Sequence, residues 1–267
     1  MSLRVNNSTA FSAYTNLTQS SNKLNSSMSR LSKGIKSSVD DAAGVGISER
    51  MRAQARGTAM SRQNVENGIS ALQTADSWMQ GINDMLGRMK ELAVEAGDVT
   101  MSDDDRSNLN EEFGQLSDEI TRIKTSVKYN DIGLLNGSLA GDTVVGADGE
   151  KINISGVNIS DTATALAGLS ITNATAAGTA LGVLGSAVDS ITSSRSKLGA
   201  TQNRLENTRS GLLTYEDNIR AAESKIRDVD MARESSNMVK NQILSQVGNA
   251  MLAQANQLPQ GILQLIG

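Results

Sequence analysis

The chain has 267 residues and contains no cysteine, no histidine, one proline and few aromatics: one Trp, three Tyr and two Phe. Without thiols or imidazoles it lacks a cysteine nucleophile, a histidine base, a Cys/His zinc site and a disulfide framework, so any metal would need oxygen ligands. A single proline leaves very long helices uninterrupted. With 38% hydrophobic and 2% aromatic residues, there is little material for a broad core. The composition points to an elongated helical protein that buries narrow seams. No run approaches 18 consecutive apolar residues, and MSLRVNNSTAFSAY lacks the apolar centre of a cleaved signal peptide, so neither a membrane span nor a Sec-type signal is expected.

The net charge of -4 argues against a nucleic-acid partner, although residues 1–64 carry nine Lys or Arg against three acids. Lacking interleaved aromatics, this basic arm reads as a solvated face or an intersubunit patch.

What the chain does have is periodicity. Leu72, Ala75, Met79, Ile82, Leu86, Met89, Ala93 and Ala96 recur at spacings of 3 and 4, with Ile47, Met51 and Ile69 extending the stripe upstream and Gly97-Asp98 as a stop. A helix of about 50 residues would reach about 75 Å. Ser102 is placed to cap a second helix, whose first-turn aspartates meet the positive end of its dipole; Leu109, Phe113, Leu116, Ile120, Ile123 and Val127 form its seam. The short turn between the two helices makes them antiparallel neighbours.

From Tyr129 to Ala180 the pattern turns to Gly, Thr, Ser, Asn and Ala. Val144-Val145, Asp148-Gly149 and Lys151 to Ile154 read as a β-hairpin, with Asp-Gly supplying positive φ at both turn positions. Residues 162–179 are too small and polar to form a core alone and should lie against the helices or be partly mobile. A third helix carries Leu184, Ile191, Leu198, Leu205, Leu212, Ile219 and Ile226 every seven residues, but its partner column (Ser194, Thr201, Thr208) is small or polar, so it must join a bundle with the other two. Glu216 with Arg220, Glu223 with Arg227 and Asp118 with Arg122 read as i,i+4 pairs on solvent faces. The expected class is mainly α: an elongated rod of long helices in a coiled-coil-like bundle with one small β-hairpin region.

Both ends are amphipathic yet rich in Ser, Asn, Gln and Ala: Leu17, Leu24, Met28, Leu31 and Ile35 at one, Ile243, Leu244, Val247, Met251, Leu252 and residues 261–267 at the other. Helices of this composition are marginal alone and need a partner to order. Leu17, Leu24, Leu31, Ile35, Ile243, Val247, Met251, Leu252 and Leu263 are the candidate assembly residues.

Chemical motifs are few. Gly44-Val45-Gly46-Ile47-Ser48-Glu49 lacks the third glycine and preceding strand of a dinucleotide fingerprint. Asp103-Asp104-Asp105 and Asp228-Val229-Asp230 lack the glycine and distal glutamate of a calcium loop. No Ser-Lys arrangement sits in a pocket-forming context, and Asn136-Gly137-Ser138 is a chance acceptor triplet. No catalytic residue, metal or cofactor is expected.

RLSKGIKSSVDDAAGVGISERM (Arg30 to Met51), ENGISALQTADSWM (Glu66 to Met79) and GRMKELAVEA (Gly87 to Ala96) resemble the N-terminal signature of bacterial flagellin. LGATQNRLE (Leu198 to Glu206), ESKIRDVDMARE (Glu223 to Glu234) and MLAQANQLPQ (Met251 to Gln260) resemble its C-terminal signature. The resemblance covers residues 1–137 and 185–267. It implies a minimal flagellin: inner-tube helices at 1–42 and 228–267, rod helices at 43–137 and 183–227, and a hairpin with a small variable segment at 138–182. It implies a structural subunit of the extracellular flagellar filament, exported without a cleaved signal through the type III channel. Its partners would be further copies of itself, an export chaperone on the C-terminal helix, and filament cap and hook-junction proteins. Arg88, Leu92 and Glu112 fall where the family meets a host toll-like receptor, with Gly87 in place of the commoner glutamine and Lys90 in place of arginine. Tyr129-Asn130-Asp131 departs from the family's Phe-Asn-Gly. A hook-filament junction protein, a non-polymerising helical adaptor and an enzyme remain the rival readings.

Overall fold

The computed structural model describes residues 8–266, with side chains through Gln257. Helix α1 (Ser8–Lys33) is followed by α2 (Ala42–Ala96), α3 (Asp103–Ser126), strands β1 (Lys128–Tyr129), β2 (Ile132–Gly133), β3 (Gly141–Val144) and β4 (Lys151–Ile154), then α4 (Ser160–Ala167), α5 (Ala174–Arg227) and α6 (Met231–Ile266). The fold is mainly α, and α2 and α5 run for 55 and 54 residues. The chain divides into two compact units, one holding the chain through Ala53 and from Ile219 onward, the other residues 54–218.

In the 54–218 unit the stripe on α2 is buried throughout: Val65, Ile69, Leu72, Ala75, Met79, Ile82, Leu86, Met89, Ala93 and Ala96. Phe113, Ile120 and Ile123 of α3 and Leu184, Ile191, Leu198 and Leu205 of α5 join the same core. The small residues Ala177, Ala180 and Ala187 of α5 are buried in the same core. One stretch of α5 is long and apolar enough to cross a bilayer by length and composition, but these alanines, Leu184 and Ile191 are core residues.

The heptad of α5 does not stay apolar in its surroundings. Beyond Leu205 burial falls: Leu212 is half-buried, and the buried residue of the next turn is Glu216, which meets Arg62 Nε at 3.7 Å. Thr58 and Ser61 of α2 are likewise buried. Glu216 is therefore not a solvent-face residue. Arg122 pairs with Glu119, not Asp118, through two hydrogen bonds of 2.7 and 2.6 Å.

Helix α3 begins as its sequence predicts. Ser102 accepts from the Asp105 N–H, and the Asp105 carboxylate accepts from the Ser102 N–H, a reciprocal capping box. The α2–α3 corner holds a residue the periodicity does not flag. Arg106 is buried, and donates from Nε to the Ala96 carbonyl at 2.9 Å and from Nη2 to the Asp98 carbonyl at 2.7 Å. It satisfies carbonyls that the end of α2 leaves without intrahelical partners.

There are two antiparallel hairpins, β1–β2 and β3–β4, instead of one. The turn chemistry is also reversed from expectation. In β3–β4 only Gly149 has positive φ (+89°), Val145 N–H extends the ladder to Glu150 O, and Gly149 N–H closes onto Gly146 O. Gly149 is the last residue of the four-residue turn 146–149 and takes the positive φ, so Asp148 need not be left-handed. The two-residue turn with both φ positive is Asn130-Asp131 (48° and 63°), which joins β1 to β2 without a glycine. Asn and Asp are the side chains that tolerate this region best. Strand β4 alternates, with Ile152 and Ile154 buried and Lys151 and Asn153 exposed, and Asn64 Nδ2 ties the hairpin to α2 through the Val144 carbonyl at 3.4 Å. The segment after β4 forms α4, packed on α3 through Ala163 and Leu166. Asn110 Oδ1 accepts from the Ile171 N–H at 2.9 Å and from the Ser170 hydroxyl.

Replacing Arg106 by alanine should destabilise the 54–218 unit by about 2 kcal/mol, because buried carbonyls lose charge-assisted donors. Arg106→Lys should not restore it, since one ammonium cannot reach both carbonyls. Urea midpoints of the three proteins check this, and unchanged midpoints would remove the capping role.

Candidate assembly interface

The unit formed by the two ends of the chain is built differently. Helices α1 and α6 pack together antiparallel, with Leu17 near Gly248 at one end and Arg30 near Glu234 at the other. The α1 sequence offers a leucine every seven residues among Ser, Asn and Thr, so it can bury only a thin line. Leu17, Leu24, Leu31 and Ile35 are accordingly half-buried, not enclosed. A Cβ at Gly248 would stand 3.1 Å from Leu17 Cδ1, so glycine is what allows α6 to come this close.

Facing outward, the same helices carry apolar side chains that the described residues leave about half exposed or more. On α6, Val239, Ile243, Val247 and Met251 repeat every four residues and are 47, 54, 51 and 60% exposed. On α1, Phe11, Tyr14 and Met28 are exposed at 73, 60 and 53%. Leu252 is half-buried, and the Leu263 side chain lies outside the described residues. The sequence-predicted residues thus separate by helix: those of α1 lean on α6 within the chain, whereas Ile243, Val247 and Met251 face solvent. A groove of about 430 Å³ runs between the helices, lined by Leu17, Leu244, Val247, Gly248 and Met251 with a rim of serines from α1.

A polar junction fastens one end of this pair. Arg30 Nη2 donates to Asp40 Oδ1 at 2.5 Å and Nη1 to Glu234 Oε1 at 3.3 Å. Asp40 also accepts from the Ser37 N–H and hydroxyl at 3.0 and 2.9 Å. Glu234, buried, also accepts from the Ser27 hydroxyl and Asn237. The connecting segments meet in an isolated antiparallel bridge, Ile35 with Asp228; Lys36 N–H donates to Arg227 O at 2.8 Å and Val229 N–H to Gly34 O at 3.1 Å. Lys36 Nζ caps α5 at the Ile226 carbonyl. Glu223 pairs with Arg52 at 2.9 Å, and Arg227 with Glu49. Both bridge helices, where an i,i+4 pair had been expected.

Hydrogen bonding to Arg30 and the Ser37 backbone holds the Asp40 carboxyl well below its ordinary range. Glu234 is held low chiefly by the Ser27 hydroxyl, against the opposing cost of its burial. Arg30 is correspondingly raised, first by its hydrogen bond to Asp40.

The candidate receptor residues lie in the other unit. Arg88 bridges α2 to α3 with a forked contact to Glu112, Nε to Oε1 at 2.8 Å and Nη2 to Oε2 at 3.2 Å, and also meets Glu91. Arg88 and Glu112 are exposed. Leu92 is fully buried and faces the core, so it offers no surface for direct contact and can only support the helix that presents Arg88.

Two family models match this chain. Residues 5–140 match the bacterial flagellin N-terminal helical region and residues 181–266 the bacterial flagellin C-terminal helical region. The chain belongs to the bacterial flagellin family. Among relatives, the flagellin of Halalkalibacterium halodurans is 42% identical, with 96% of this chain and 97% of that one covered. The flagellin of Bacillus subtilis is 36% identical over 99% and 100%, and a flagellar filament core protein of Brachyspira hyodysenteriae 38% over 98% of each. In structure, Bacillus cereus flagellin is similar at TM-score 0.50 and 25% identity, covering 56% of this chain and 88% of that one. A chain described as a flagellar hook-associated protein from Vibrio parahaemolyticus is similar at TM-score 0.61 but 12% identity, covering 71% and 100%, which shows shared fold alone. Sequence reasoning for this flagellin-family chain missed the Arg30 junction. Arg30 and Glu234 lie 204 positions apart and are joined only by folding; the faint signal was the pairing of isolated charges with otherwise uncharged helix faces.

The carboxylates of Asp40 and Glu234 titrate lower when folded than when unfolded, so their contribution is complete above about pH 5 and fades as pH falls below about 4. Acid titration should loosen the α1–α6 unit over that range, and Arg30→Gln should flatten the dependence. Stability from urea titrations between pH 2 and 7 reads this directly; an identical slope in the variant would exclude the junction as its source.

Proposed function

We propose that the chain is a structural subunit that polymerises into the extracellular bacterial flagellar filament. The observation that carries this is near-full-length similarity to proteins named flagellin and flagellar filament core protein. The uncovered stripe on α6 gives it a physical basis. Apolar surface left in water by a single chain, on helices too polar to be stable alone, is stabilised when neighbours cover it, and the burial offsets the entropy of ordering the ends. A patch that meets a different patch on the next copy makes a contact that repeats without closing, and so generates a helical polymer. The family role is structural, and no catalytic step enters this mechanism.

The finer assignments belong to the same reading. Residues 1–42 and 228–267 form the inner tube, 43–137 and 183–227 the surrounding rod helices, and 138–182 the hairpin and variable segment. Leu17, Leu24, Leu31 and Ile35 hold the terminal pair together, while Ile243, Val247, Met251, Leu252 and Leu263 meet neighbouring copies. An export chaperone would cover the α6 face before assembly, and cap and hook-junction proteins would meet the filament's two ends. Arg88 and Glu112, exposed on adjacent helices, are the residues a host toll-like receptor would touch.

Purified protein added to filament seeds with a precipitating salt should grow long uniform tubes in negative-stain electron microscopy. Removing residues 241–267 should leave a helical monomer that adds nothing to the seeds. Filaments from the truncated chain would overturn the assembly role of α6, and short caps from the full chain would favour a junction protein.

A further inference from the structure

With no cysteine in the chain, methionine thioethers are its oxidisable sulfur, and the fold grades their exposure, with Met51, Met85, Met101 and Met238 half-buried between the extremes. Met79 and Met89 are fully buried, whereas Met28, Met60, Met231 and Met251 are 53, 59, 51 and 60% exposed. Met251 closes the uncovered α6 stripe after Val247 and lines the groove beside Leu17 and Gly248. Met28 stands on the partner helix α1, at the end secured by Arg30.

We propose that Met28 and Met251 are oxidation sites that decide whether a free subunit can polymerise. The inference rests on the filament reading and extends it to a chemical control. The reagent is a hydroperoxide. The sulfur lone pair attacks one peroxide oxygen, the O–O bond breaks as the S–O bond forms, sulfur loses two electrons, and hydrogen peroxide's second oxygen leaves as water. The product is a sulfoxide, polar and chiral where the thioether was apolar and pliant. In a free subunit the new oxygen is hydrated and costs nothing. In a subunit joining a filament it must be stripped of water as a neighbour covers it, which at Met251 exchanges full hydration for apolar neighbours such as Val247 and the few hydroxyls of the groove rim. Once a neighbour covers the stripe the same sulfurs are shielded, so oxidation discriminates between free and assembled protein.

The test uses full-length monomer treated with limiting hydrogen peroxide, mapped by peptide mass spectrometry, and then added to seeds. The four exposed methionines should oxidise before Met79 and Met89, helicity by circular dichroism should be unchanged, and seeded growth should slow by about tenfold. The variant M28L/M251L, of nearly conserved volume, should grow normally before and after peroxide, whereas M60L/M231L should remain as sensitive as the parent. Growth of the oxidised parent at its untreated rate would overturn the proposal, as would equal sensitivity of M28L/M251L or collapse of helicity in the oxidised monomer. Failure of the untreated parent to extend seeds is a separate result, read before any oxidant is added, and would remove the filament reading itself.

Discussion

The rest of the structure depends on one face of α2 staying dry. From Val65 to Ala96 the stripe residues of that helix arrive every three or four positions and are buried, while Trp78 and Val94 on its other face are exposed, so α3 and α5 are held in place by a line of contacts only a few side chains wide. A chain with so few aromatics has no alternative centre to collapse around. The hairpins and α4 are secondary to this seam: Ile152, Ile154, Leu134, Leu135 and Leu166 add to a surface the helices have already defined. Substituting a large residue of the seam by alanine would open a cavity along a narrow core, where relaxation has little material to draw on.

The paired ends are organised on the opposite principle. Leu17, Leu24 and Leu31 give α1 a thin stripe, a glycine admits it to α6, and the fastening is ionic and concentrated at Arg30. What would be the second half of a hydrophobic core is instead turned outward as Val239, Ile243, Val247 and Met251. In the proposed filament role that surface is free in the monomer and covered in the polymer, and the polar composition of the ends keeps the apolar stripe narrow.

Helix positions were the most legible part. The 3-and-4 spacing marked α2 and α3, and Ser102 with Asp105 signalled a cap that the structure forms in full. The heptad of α5 was visible too, but spacing reports only which face a residue shares, not what that face meets; Glu216 sits inward because Arg62 lies opposite. Charge pairing was the least legible, since i,i+4 rules see neighbours in sequence, whereas Arg52 with Glu223 and Arg30 with Glu234 are neighbours only after folding. Turns fell between. Asp-Gly drew attention for its glycine, yet the doubly left-handed turn was Asn130-Asp131, a two-residue connection in the I′ form that Asn and Asp tolerate. Of the candidate residues, exposure separates Ile243, Val247 and Met251 from the leucines of α1, a distinction that amphipathic pattern alone cannot draw because both sets are equally periodic.

The two arginines that anchor the corners of the fold answer to different variables. The two shorter bonds of Arg106 go to backbone carbonyls, which have no proton to gain, and its one carboxylate contact is to the exposed Asp103, while Arg30 binds two carboxylates that are part of its junction. Below the carboxylate range the unit of the two ends should therefore loosen before the 54–218 unit, and a single free energy of unfolding would not describe that state. A partly opened species of this kind, with its apolar seam intact and its ends released, is a distinct thermodynamic state and not a midpoint between folded and unfolded.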